Sequence, residues 1–400
     1  MISRHACRFI LLMFMVGLNL RPAMSSVAPL LSRLQESAGL SASAAGLLTT
    51  LPVLFLGLTA PLAPMIGNRI GSERALSAAL LLLASGLLLR VLPFPGLLYL
   101  GTAMAGSAIG LAGTLLPALV KRELPQNADL LTGLYTMALC LGGALGAGLS
   151  VPLMQWLGNW QASLVSWSLL ALATFIVWIS YAPSPAPKPT LNLPTGIPLV
   201  SLLRQPLTWQ VMLFMGIQSS MAYIVFGWLP TLLIERGYSE ATAGWTMAVS
   251  IMCQLVSALS APWIARLHHD QRPALLLVLV CTALGLVMLL AAPLAWRWPG
   301  AVLLGLGQGG SFSLALSLLV LRTANERLAG QLSGLVQGGG YTLAALGPFG
   351  VGLMLQAGAT TQHIAWLLIG LIGVCCGFAF FAGRKRQLDD QSGQLQVYHR

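Results

Sequence analysis

Apolar runs long enough to cross a bilayer recur along the whole chain, and the segments between them are short and carry nearly all of the charge. A membrane-crossing helix needs about 20 predominantly apolar residues. Twelve such runs are predicted. Six lie at about 9–31, 43–66, 75–92, 97–120, 132–157 and 162–181. Six more lie at about 207–234, 243–265, 273–294, 299–321, 331–356 and 364–383. The first is preceded by Arg4 and Arg8, like a signal peptide. It nevertheless runs on to about Leu31, contains Arg21 and lacks an A-x-A cleavage pattern, so it is taken as the first span.

The segment between the sixth and seventh runs differs in kind. Pro183, Pro185, Pro187, Pro189, Pro194 and Pro198 predict an extended linker. The expected organisation is an N-terminal six-helix bundle (1–181), a Pro-rich cytoplasmic linker (182–206), a C-terminal six-helix bundle (207–383) and a cytoplasmic tail (384–400). The tail is basic at its start and reads as an anchor. The halves also repeat: GLSASAAG (39–46) and GYSEATAG (237–244) match at an offset of 198 residues. The same offset pairs Pro64 with Pro262, Ile66 with Ile264 and Arg74 with Arg272. Matches at equivalent points of two six-span halves argue for a parallel repeat, the architecture of major facilitator transporters. The predicted fold class is all-α: a polytopic membrane protein with twelve transmembrane helices in two six-helix pseudo-repeats.

Composition narrows the class. Of 400 residues, 8% are charged and 56% hydrophobic, with mean hydropathy +0.81. An ordinary soluble domain is roughly 25% charged, so a soluble enzyme, a disordered chain and a secreted disulfide scaffold are excluded. The net charge of +11 would suggest nucleic acid on a soluble protein. Here the bases sit in short loops, so nucleic acid is not an expected partner and the positive-inside rule applies. With the N-terminus inside, sixteen Lys and Arg fall inside, against Arg33, Arg90, Arg236 and Arg297 outside. Both termini are therefore expected in the cytoplasm. Cys7, Cys140, Cys253, Cys281, Cys375 and Cys376 form no CxxC pair and read as small buried hydrophobes.

One charge stands apart. Arg21 lies near the middle of the first span, in NLRPAMSSVAPLL (19–31). A central Arg costs about 2.5–3.5 kcal/mol on insertion scales. Pro22 and Pro29 predict a bent or locally unwound helix around it. All ten Asp and Glu, and all five His, fall in loops, tails or span ends. No midplane carboxylate or histidine is left to pair with Arg21 or to carry a proton. The expectation is contact with an anion or an electron-rich substrate, against a structural role bonded to carbonyls or to an amide such as Asn19. Proton coupling would involve the substrate's own proton or a span-end carboxylate such as Glu235.

Other polar side chains within spans are Tyr135 and Thr136, Gln218, Ser219 and Tyr223, Gln254, Gln308, Gln337 and Tyr341. They fix a small polar ligand or bond across helices. The candidate substrate-binding set taken from position is Arg21, Tyr135, Gln218, Tyr223, Gln308, Gln337 and Tyr341, with no metal or cofactor. Trp228 in GWLP (227–230) reads as an interfacial anchor. GLGQGG (305–310) lies inside an apolar run, so it signals close helix packing, as does the GxxxG spacing of Gly142 and Gly146. There is no HExxH, GxSxG or Walker lysine, and no buried acid or base set for a membrane-embedded enzyme.

The loop GNRIGSER (67–74) looks like a degraded major facilitator loop between spans two and three, with Asn68 where an Asp is usual. GLNLRP (17–22), SVAPLL (26–31), GLLTTLPVL (46–54), LVKRELP (119–125), LTGLY (131–135), GWLPTLLIERGYSEATAG (227–244) and LSGLVQGGGY (332–341) extend the likeness over nearly the full chain. On these motifs the chain resembles the cyanate-permease and nitroimidazole-transporter (CynX/NimT) group of the major facilitator superfamily. The resemblance implies a monomeric twelve-helix inner-membrane carrier working by alternating access. It implies small anions such as cyanate as substrates, with export of nitroaromatic heterocycles as the alternative. It also places Asn19, with Arg21, at the central site.

Overall fold

A computed structural model describes residues 4–92, 94–123, 128–181, 199–265, 267, 270–324, 326–391 and 394–399. Among these residues twelve helical stretches are long and apolar enough to cross a membrane. Spans 1–6 are Cys7–Ala38, Ala42–Ile70, Ser72–Leu89, Gly96–Leu116, Leu134–Leu157 and Trp160–Tyr181. Spans 7–12 are Pro206–Glu235, Glu240–Ala265, Arg272–Leu290, Leu294–Leu321, Leu328–Gln356 and Thr361–Ala382. The bounds follow the apolar runs except in span 1, which continues past Leu31. Its last helix, Leu31–Ala38, buries Leu31 and Leu34 while Arg33 and Glu36 face out, and it ends on Gly39 in the left-handed conformation (φ 64°). The charged face broke the apolar run there, but the helix goes on. The linker prolines lie outside the described residues; the end of that segment, Leu199–Leu203, is a short helix.

Many spans are apolar on every side. In span 3 Leu80 is buried and Leu81 half exposed; in span 6 Ala171 is buried and Leu169 exposed. Lipid tails are as apolar as Leu, so hydrophobicity does not separate packed from free faces; small residues and polar contacts do.

The chain forms two compact units. The first comprises Met1–Pro189, Ile224–Ile251 and Pro348–Gly358. Spans 1–6 are thus joined by the end of span 7, the start of span 8 and the end of span 11. Its core gathers Phe9, Met13 and Val16 of span 1, Leu76, Leu80 and Leu83 of span 3, Ala105 and Ala112 of span 4, and Trp167 and Trp178 of span 6. Arg33 Nε donates to Glu240 Oε1 at 2.9 Å, tying the end of span 1 to the start of span 8. Trp228 is not an anchor at the lipid boundary: it is buried, and its Nε1 donates to the Pro348 carbonyl at 2.9 Å. Spans 2 and 3 meet at Gly71, whose φ of 93° suits glycine. Just beyond it Glu73, a loop acid by sequence, is buried and paired with Arg122. Its backbone carbonyl accepts Trp178 Nε1–H at 3.3 Å.

The second unit comprises Thr190–Tyr223, Met252–Gly347 and Ala359–Arg400. Within it, Cβ atoms at Gly307 and Gly309 would collide with Thr282 of span 9 and Gln254 of span 8, so GLGQGG serves close packing. The tail is more than an anchor. Strand β1 (Arg386–Gln391) pairs antiparallel with β2 (Gln394–His399), Arg386 opposite His399. Leu388 is buried, and the turn after span 10 bonds to it on both sides. Leu388 N–H donates to the Arg322 carbonyl at 2.8 Å, and Ala324 N–H to the Leu388 carbonyl at 2.9 Å. Arg322 itself is buried, its Nε donating to the Ala382 carbonyl at 2.8 Å.

Candidate functional site

Span 1 breaks at Arg21. Regular helix runs over Arg4–Leu20, a single turn follows at Pro22–Ser25, a 3₁₀ turn at Ala28–Leu30, and helix resumes at Leu31. Pro22 and Pro29 explain this, since each lacks an N–H and crowds the carbonyl four residues earlier. For Pro22 that carbonyl belongs to Leu18.

Span 5 accommodates the broken segment. A Cβ at Gly142 would collide with the Leu18 carbonyl oxygen, and one at Gly146 would meet Pro22 Cα at 2.9 Å. Between them a Cβ at Gly143 would stand 3.3 Å from Arg21 Cβ and Cδ. The glycines make a smooth trough in which the freed carbonyl, the proline and the arginine stem all lie. The Arg21 carbonyl accepts the N–H groups of Met24 and Ser25, both at 3.0 Å, and the Ser25 hydroxyl at 3.2 Å. Arg21 is half-buried, and its guanidinium carbon sits 5.3 Å from the ring centre of Phe226 in span 7. That range suits cation–π attraction. Tyr135 and Cys140 of span 5 lie within electrostatic reach of the guanidinium, the Tyr135 ring standing over Gly17.

Asn19 faces elsewhere. Its Nδ2 donates to Thr174 Oγ1 of span 6 at 2.7 Å and to the Met15 carbonyl at 2.8 Å, bracing span 1 on span 6. The remaining candidates belong to the second unit. Tyr223 and Tyr341 meet edge to face at 6.3 Å. Gln308 is buried and accepts from Gln254 Nε2 at 3.3 Å, while its own Nε2 has no partner among the described residues. Gln218 Nε2 donates to Ser219 Oγ at 2.8 Å, and Gln337 Nε2 to Ser333 Oγ at 2.7 Å. The structure thus groups Arg21 with Tyr135, Tyr223 with Tyr341, and Gln308 with Gln254. Sequence reasoning missed Phe226, an aromatic in an apolar run that carries no signal of its own. It also missed Gly143, hidden beside the flagged Gly142 and Gly146. No cluster of three or more His, Cys, Asp or Glu among the described residues fits a metal ion.

Comparison with known proteins finds a match over residues 9–348 to the model of the Major Facilitator Superfamily. The chain is 37% identical to the 2-nitroimidazole transporter of Escherichia coli (strain K12), covering 91% of this chain and 93% of that protein. It is 32% identical to the cyanate transport protein CynX of the same organism, over 86% of this chain and 89% of that one. The crystal structure of the nucleoside transporter NupG has the same fold, with a TM-score of 0.75 at 12% identity, covering 95% of this chain and 98% of that chain.

Proposed function

The chain belongs to the Major Facilitator Superfamily, as a multi-pass secondary transporter of a small molecule related to the cyanate and 2-nitroimidazole carriers, and we propose that Arg21 is its substrate-contacting charge. The substrate in this reading is a small anion such as cyanate, or a compact polar molecule, moved across the bacterial inner membrane by alternating access. Supporting it is the break in span 1, which lays the stem of a half-buried Arg21 in a glycine trough inside an apolar span, with the guanidinium against Phe226. An ionisable group there is expensive, and in membrane proteins such groups mark substrate pathways. Tyr135 lines the same site. In the second unit Gln218, Tyr223, Gln308, Gln337 and Tyr341 supply hydrogen bonds and aromatic surface. Asn19 serves by bracing span 1 rather than by reaching the substrate. The sixteen-to-four bias of basic residues supports cytoplasmic termini, and in this reading the carrier works as a monomer.

Phe226 favours a second reading. A planar, electron-poor ring such as a nitroimidazole can lie against the phenyl face while its nitro group meets Arg21, and the 2-nitroimidazole carrier is a relative across nearly the full length. One screen decides. Purified protein is heated with cyanate, nitrate, short carboxylates and 2-nitroimidazole, wild type against Arg21→Gln. A ligand at 100 times its Kd stabilises by about 2.7 kcal/mol, and that shift should vanish in the variant. Equal stabilisation of both proteins would remove Arg21 from the site.

A further inference from the structure

Arg90 stands one residue past span 3, where the sequence places a loop base, yet it is 1% exposed. No carboxylate lies within salt-bridge distance of it among the described residues. Of its guanidinium nitrogens, Nη1 donates to the Ala23 carbonyl at 2.6 Å, while Nε and Nη2 have no partner among the described residues. Room for the side chain comes from span 4, where a Cβ at Gly101 would approach Arg90 Cγ at 3.2 Å.

The accepting carbonyl is two residues beyond Arg21, inside the break. There the regular ladder stops: Ser26 N–H makes the last four-residue bond, to the Pro22 carbonyl, and Leu30 N–H then closes a three-residue turn on Val27. A carbonyl freed by a break inside a membrane protein needs a donor in place of the lost helix bond. A buried, otherwise unpaired guanidinium is a costly donor to use, so its single bond points to where it acts. We propose that Arg90 is the positioning residue for the Arg21 site: it pins the Ala23 carbonyl and holds the broken segment of span 1 in the one geometry that presents Arg21. The functional half of this rests on Arg21 being the substrate contact; the structural half does not.

The test compares full-length wild type, Arg90→Lys, Arg90→Gln and Arg90→Met in lipid nanodiscs. Hydrogen exchange of peptides covering residues 17–31 reads the segment without any ligand. Arg90→Met should raise exchange there about tenfold while spans 9 and 10 stay as in wild type. Arg90→Lys, which keeps charge and a donor, should restore most of the protection. Arg90→Gln, which keeps a donor without charge, should fall between and serves if Arg90→Met is not recovered. Exchange unchanged at 17–31, or raised equally throughout the chain, overturns the proposal. The binding arm uses cyanate and 2-nitroimidazole as probes, with Kd expected to rise about tenfold in Arg90→Met and much less in Arg90→Lys. Local exchange that rises while a probe bound by wild type keeps its Kd would overturn the functional half. Should Arg21→Gln bind that probe like wild type, the Arg21 reading fails on its own, and exchange still decides whether Arg90 pins the segment.

Discussion

Arg21 was visible from sequence because a lone cation in the middle of an apolar run has few explanations. Arg90 was not, because a base at the end of a run is normally solvated, and only the packing of spans 1, 3 and 4 makes it internal. Glu73 and Arg322 escaped notice for the same reason: each lies in a connection by sequence and is buried in the fold. Hydropathy counts charges but does not see what covers them. Glycine gave a partial signal. The spacing of Gly142 and Gly146 said that something packs closely, but not that the partner is a broken helix with an exposed carbonyl. That contact gives a sharp prediction. In Gly142→Ala the methyl would meet the Leu18 carbonyl, part of a backbone that cannot rotate away. The variant should lose about 1–3 kcal/mol of stability, read as a lower Tm. Gly373→Ala, inside the helix of span 12 where a Cβ meets nothing within 4 Å, controls for adding a methyl group without crowding.

Among the elements, the twelve spans were legible because length and hydropathy alone decide them. The kink in span 1 was legible because Pro22 and Pro29 act through their missing N–H. The tail hairpin was not, since RQLDDQ has a single apolar residue, Leu388, which is the side chain that anchors β1. Deleting residues after Gly383 would leave Leu388 absent and the Arg322 carbonyl and Ala324 N–H without their strand. Tm should fall by several degrees, with the loss confined to the second unit as read by hydrogen exchange. A second prediction sits at the start of span 9. Asp270 accepts from Arg272 Nε at 2.7 Å. Burial opposes its ionisation, but the hydrogen bonds and charge of Arg272 outweigh that and hold the carboxyl below its usual range. A lowered folded-state pKa contributes stability above the unfolded value of about 3.9, lost as pH falls through the folded value. The Tm difference between wild type and Asp270→Asn should therefore be present at pH 7 and close below about pH 4. A gap independent of pH would mean that Asp270 acts by packing alone.

At the scale of the whole molecule, the proposed alternating access requires contacts that can open as well as close. In the first unit Arg33 and Glu240 hold the end of span 1 to the start of span 8, with side chains 51% and 23% exposed. Such a pair is worth about 0–1 kcal/mol. It can bias a conformational equilibrium by up to about fivefold while barely moving stability. Glu240→Gln should leave Tm nearly unchanged and raise hydrogen exchange of peptides covering residues 31–38 by up to about fivefold; unchanged exchange would mean that the pair does not hold the end of span 1. The closing hairpin has a consequence at the bench. Because β1 is stitched into the turn that follows span 10, the hairpin formed with β2 is a structural part of the second unit and not a loose thread. A purification handle or fluorescent fusion joined directly to β2 would pull on that stitching, so such additions belong behind a long flexible spacer.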